Sequence, residues 1–128
     1  MPTVPTVLIV DDSRLSRLMI RTFISQAHPC WEIIEASNGQ EALEKTACLD
    51  IDAMTIDLNM PGMDGLTLAT TLKARHPQAR ITLLTANIQD SVRQRATAMG
   101  VGFLAKPITE QTILAFLAEM EHHSAEFN

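Results

Sequence analysis

Residues 53–65 read AMTIDLNMPGMDG. An apolar run from Ala53 to Ile56 ends on a carboxylate, Asp57, and a turn built from Asn59, Pro61, Gly62 and Gly65 follows. A run this short, closed by turn residues, predicts a buried strand. Asp57 then has two readings. It marks where the strand meets water, or the strand exists to hold it. The neighbouring segments decide.

Upstream, TVLIVDD (6–12) is a second short β-branched run and also ends on acids. Leu15, Leu18, Met19, Thr22 and Phe23 then recur at helical spacing, the apolar stripe of an amphipathic helix. Pro29 in HPC stops that helix. WEIIEA (31–36) predicts a strand, and SNGQEALEKTACL (37–49) a helix opened by Ser37 and Gln40 as a capping box. Downstream, GLTLATTLKARHP is a helix closed by Pro77, RITLLTA a strand, and QDSVRQRATAMG a helix with Gly100 as a left-handed C-cap. GFLA is the last strand, and TEQTILAFLAEME the last helix, with Thr109 as its N-cap. Strand followed by helix, repeated throughout, predicts an α/β fold: a doubly wound parallel sheet covered by helices on both faces. The crossovers are expected to be right-handed.

The length, 128 residues, suits one domain, with an ordered core over about 5–121 and a polar tail over 122–128. With 46% hydrophobic and 20% charged residues a packed core is expected and disorder is not. A net charge of −5 argues against nucleic-acid binding, which requires a clustered basic face. No apolar run approaches the ~20 residues of a membrane span, and MPTVPTVLIV lacks the basic start and long apolar stretch of a signal peptide. Cys30 and Cys48 have neither metal nor redox spacing and read as reduced, core or near-surface thiols, which fits a cytoplasmic protein. His28, His76, His122 and His123 form no ligand pattern.

Open α/β sheets build their sites outside the carboxyl ends of the strands. There the predicted strands deliver Asp11 and Asp12, Asp57, Thr85, and Lys106 followed by Pro107. Each has a plain structural explanation, as a helix cap or a solvated loop residue. Together they crowd three carboxylates at one edge, and like charges at short range repel. A cation relieves that repulsion. All-oxygen ligands point to a hard ion such as Mg2+. A carboxylate nucleophile, a metal, a hydroxyl and an ammonium suit phosphoryl transfer.

With those residues in place, VDD (10–12), IDLNMPGMDG (56–65), LLTAN (83–87) and FLAKP (103–107) resemble the response-regulator receiver domain of two-component signalling, the CheY-like group. The resemblance spans essentially the whole chain. It implies five strands in the flavodoxin-like order 2-1-3-4-5, with five helices. Asp57 would be the phosphoacceptor. Asp11, Asp12, Asp57 and the backbone of Asn59 would hold Mg2+, with Mn2+ as a substitute. Thr85 and Lys106 would bind the phosphoryl group beside the small Ala86, and Phe103 would be the aromatic switch. Lys106–Pro107 would carry a cis peptide. The resemblance further implies a histidine kinase or phosphotransfer protein as donor, and a protein target on the surface of helix 4, strand 5 and helix 5. It implies an acceptor that phosphorylates and dephosphorylates itself and is otherwise no enzyme. Whether the domain acts alone or is cut from a larger regulator stays open.

Three departures and three rivals stand beside this. Phe103 lacks a tyrosine hydroxyl, AMGVGF lacks the acidic pair of receivers that dimerise in the OmpR manner, and Ile108 replaces a common phenylalanine. A dinucleotide-binding enzyme would need a Gly-rich first turn, which VDDSRLS does not have. A haloacid-dehalogenase-type phosphatase would carry an acid where Asn59 stands. A pseudo-receiver, a constitutive protein-binding module, would have lost part of the acidic set.

Overall fold

The five runs of β-branched and apolar residues become five parallel strands, and the segments between them become helices. The computed structural model describes residues 4–87 and 89–126, with side chains in the last helix described through Glu119. The elements are β1 (Thr6–Val10), α1 (Arg14–Ala27), β2 (Glu32–Ala36), α2 (Gly39–Thr46), β3 (Ala53–Asp57), α3 (Gly65–Arg75), β4 (Arg80–Thr85), α4 (Asp90–Ala98), β5 (Gly102–Ala105) and α5 (Glu110–Glu126). The sheet order is β2-β1-β3-β4-β5. All four pairings are parallel. Every strand therefore delivers its carboxyl end to the same edge.

The sheet is covered on both faces. Leu8, Val10, Met54, Ile56 and Leu83 meet the helices α2, α3 and α4. Val7, Ile9, Ala53 and Leu84 meet Ile20 and Ile24 of α1 and Ile113 and Leu117 of α5. The middle strand β3 is buried along its full length, as double coverage requires, whereas the edge strands β2 and β5 are mostly half-buried or exposed.

Two local expectations shift. The residues of α1 that face the sheet are Ile20 and Ile24; of the expected stripe only Phe23 packs beside them, while Leu15, Leu18 and Met19 point outward. Those three are 67%, 56% and 41% exposed. The helix carries two apolar stripes, and its attachment to β1 decides which one turns inward. In α2 the capping box is displaced by one residue. Asn38 accepts the Glu41 N–H at 2.8 Å, and Glu41 reaches back to the Ser37 N–H at 3.1 Å. Asn38 is extended at φ −160°, the usual N-cap geometry, and its amide oxygen takes the role expected of Ser37.

Other ends follow the sequence. Thr109 Oγ1 accepts the Thr112 N–H at 3.2 Å. Gly100 has φ +75°, and its N–H and that of Val101 bond the carbonyls of Thr97 and Ala96, which closes α4 in a Schellman motif. Trp31, just ahead of β2, stacks on His28 with ring centroids 3.7 Å apart. Cys30 and Cys48 are both exposed, free thiols. No helix among the described residues is long and apolar enough to cross a membrane.

Candidate functional site

β1 carries Asp11 and Asp12 just past its last residue, and β3 carries Asp57 as its last residue. Val10 pairs with Ile56, so the acids emerge side by side. One carboxylate oxygen from each of Asp11, Asp12 and Asp57 lies within 4.8 Å of the others. Asp11 and Asp57 are 1% and 3% exposed, while Asp12 is open to solvent.

Lys106 Nζ reaches Asp57 Oδ1 at 3.0 Å. The Asn59 N–H approaches the same oxygen at 3.3 Å. Asp57 Oδ2 has no hydrogen bond among the described residues, so the two oxygens of this carboxylate are unequal. Asp11 is unequal too: Oδ1 accepts the Ser13 N–H at 2.9 Å, while Oδ2 is buried without a partner. Burial raises the Asp11 pKa, the Ser13 N–H opposes the rise, and the charge of Asp57 adds to it. Lys106 then opposes and Asp12 adds. A buried carboxylate oxygen with no donor is costly unless something positive meets it. The all-oxygen donor set fits a hard divalent cation.

Gly65 shapes the loop beneath Asp57. Its N–H bonds the Leu58 carbonyl at 2.9 Å. A Cβ there would stand 2.3 Å from the Asp57 carbonyl oxygen and 2.7 Å from Leu58 Cα, so only glycine lets the start of α3 come this close.

Thr85 ends β4 on the same edge, but its hydroxyl is turned to Asn87, donating to that carbonyl at 3.0 Å and accepting that N–H at 3.2 Å. Ala86 beside it is exposed. Phe103 is half-buried on β5, packed against the core under α2–α4, with the Arg93 guanidinium 5.8 Å from its ring centroid. Since Leu83 pairs with Phe103 and Thr85 with Ala105, Thr85 and Phe103 share one face of the sheet. The Lys106–Pro107 peptide is cis.

Two residues beside the acids escaped the sequence reading. Arg17 bonds the Asp11 carbonyl, and Glu35, at the end of β2, holds Arg17. The visible hint was a second glutamate, Glu35, set between Ile34 and Ala36 near the end of β2.

A doubly wound α/β domain with three acids and a lysine at the carboxyl edge of its sheet is the class that fold and site define. The family model of the response regulator receiver domain matches residues 7–118. The chain is 40% identical over 117 residues to a protein-glutamate methylesterase/protein-glutamine glutaminase of Moorella thermoacetica, covering 89% of this chain and 27% of that protein. It is 32% identical over 113 residues to the nitrate/nitrite response regulator protein NarL of Escherichia coli, covering 88% and 52%. Both relatives are thus longer than the part this chain matches. It is also similar to the solved structure of the chemotaxis protein CheY4 of Vibrio cholerae, at 30% identity and a TM-score of 0.84, covering 92% of this chain and 99% of that one. The chain belongs to the response regulator receiver domain family.

Proposed function

We propose that Asp57 accepts a phosphoryl group from a phosphohistidine on a histidine kinase or phosphotransfer protein. The observation that carries this reading is the position of Asp57: buried, 3.0 Å from Lys106, and in a cluster with Asp11 and Asp12. Asp57 Oδ2, free of hydrogen bonds, attacks phosphorus. The P–N bond breaks, its electron pair stays on the imidazole nitrogen, and an O–P bond forms an acyl phosphate. Water later attacks phosphorus, returning the carboxylate and releasing inorganic phosphate.

Asp11, Asp12, Asp57 and the Asn59 carbonyl would hold Mg2+, or Mn2+ in its place, which neutralises charge on the phosphoryl oxygens. Lys106 moves from Asp57 Oδ1 to a phosphoryl oxygen. Thr85 breaks its contacts with Asn87 and donates its hydroxyl there too, beside Ala86, which is too small to block the donor. Phe103 follows into the space that Thr85 leaves, and the surface of α4, β5 and α5 changes for a protein target.

The exposed Leu15, Leu18 and Met19 of α1 offer the donor an apolar seat. A recess lined by Asp11, Met19, Lys106 and Ile108 joins that face to the acids. In this reading the domain is an acceptor and switch, and the histidine-bearing donor supplies the phosphoryl group.

The test uses acetyl phosphate with Mg2+ and mass spectrometry of the intact protein. One hydroxylamine-labile phosphoryl group is expected, absent in Asp57→Asn. No uptake by the wild type would favour a pseudo-receiver. A stable phosphoserine or phosphohistidine would sink the Asp57 assignment.

A further inference from the structure

The acids at the sheet edge need more than nearness: they need their carboxylates aimed. Asp57 is aimed by its strand and Lys106. Asp12 has no such support. It is exposed, and its side chain makes no hydrogen bond among the described residues. Its direction is therefore set by the main chain, chiefly by the plane of the Asp11–Asp12 peptide.

One side chain grips that peptide. Arg17, in α1, donates from Nη1 to the Asp11 carbonyl oxygen at 2.7 Å. The same guanidinium donates from Nε to Glu35 Oε1 at 3.1 Å. Arg17 is only 16% exposed, and Arg21 Nη1 holds the other oxygen of Glu35 at 3.0 Å. The Asp11 N–H bonds the Ala36 carbonyl at 3.1 Å, so β2 fixes the Asp11 main chain twice, directly and through Arg17. Helix α1 is tied to the same loop by Ser13, whose N–H meets Asp11 Oδ1 and whose Oγ caps the helix.

The geometry points to Arg17 as a positioning residue for the cation site, which orients the Asp11–Asp12 peptide and through it the two carboxylates. This rests on the metal site proposed above. The role suits arginine, whose planar fork serves a carbonyl and a carboxylate at once. A lysine ammonium would reach one or the other.

The test titrates Mg2+ by calorimetry into the full chain and its variants Arg17→Ala, Arg17→Lys, Glu35→Ala and Arg21→Ala, with a thermal melt of each. Arg17→Ala and Arg17→Lys should bind Mg2+ about tenfold more weakly, the range seen when partners of metal ligands are lost. Glu35→Ala should weaken binding in the same direction by less, and Arg21→Ala should match the wild type. Acetyl phosphate uptake by Arg17→Ala should recover at saturating Mg2+, which a merely structural defect would not allow. Wild-type affinity in Arg17→Ala and Glu35→Ala overturns the assignment, as does an equal loss in Arg21→Ala. If Arg17→Ala does not fold, unchanged affinity in Glu35→Ala overturns it alone. A wild type that binds no Mg2+ sinks the metal site, and this role with it, whatever the variants do.

Discussion

Helices α1 and α4 lie beside the same acidic edge on opposite faces of the sheet, and they are held very differently. α1 is capped by Ser13, buries Ile20 and Ile24, packs on α5, and is tied to β2 through Arg17, Arg21 and Glu35. α4 starts at Gln89 with no side-chain cap and buries Ala96 alone. Val92 and Met99 only partly cover the core, and Arg93 rests on the half-buried Phe103. Few buried apolar contacts and a bare helix start lower the cost of local rearrangement. One face holds the acids in place, while the other would have little to break in the movement of Thr85 and Phe103 proposed above.

The sharpest way to break this comparison is at α1. Ile20→Ala should cost about 3 kcal/mol, whereas Leu18→Ala, two residues away on the outward side of the helix, should stay within about 0.5 kcal/mol. Chemical denaturation of both variants measures the difference. Similar losses would mean that the outward stripe is buried after all.

A pH series probes the charge stored at the anchored side. The Asp11 pKa is raised above its ordinary 3.8, so the folded protein binds its proton more tightly than the unfolded chain. Stability should therefore fall as pH rises from 3.8 through the raised value, and the loss should be complete above it. Asp11→Asn removes that loss. Without Mg2+ the variant should gain on the wild type across this window and keep the gain at neutral pH, while added Mg2+ should stabilise the wild type more than the variant. Denaturation midpoints with a gap independent of pH would contradict the burial of Asp11.

The bare start of α4 predicts a further, smaller gain. Gln89→Asp supplies the missing cap and should stabilise the protein by about 1 kcal/mol, while reducing the response of α4 amides to beryllofluoride in NMR spectra. An unchanged midpoint would show that the helix start is already satisfied. The smallest effect is expected at Arg93→Ala. It removes an exposed cation–π contact worth about 0.5 kcal/mol and should shift the Phe103 ring resonances without altering phosphoryl uptake. Resonances that stay in place would separate Arg93 from the switch.

The alternation of short apolar runs and amphipathic segments was enough to read every element, because each period reflects which faces are covered. The acids were legible for the same reason: a parallel sheet must bring its strand ends together. The failures have one cause. Leu15, Leu18, Met19 and Phe23 repeat at helical spacing as well as Ile20 and Ile24 do, and only the sheet decides that Ile20 and Ile24, with Phe23 beside them, turn inward. Ser37 and Asn38 can both cap, and the path of the chain from β2 chooses Asn38. Arg17 and Glu35 lie on different elements, and no local pattern pairs them until the strand order is known.

The stack of Trp31 on His28 gives this molecule an unusually clean optical signal. Trp31 is the only tryptophan, and it precedes β2, at the sheet edge opposite Asp57. Its emission is a gauge of whether the chain is folded, well removed from ions or phosphoryl groups at the far edge. A fluorescence melt can then be repeated with and without Mg2+, and a shift in its midpoint reads linkage between cation and fold without direct quenching by the ion.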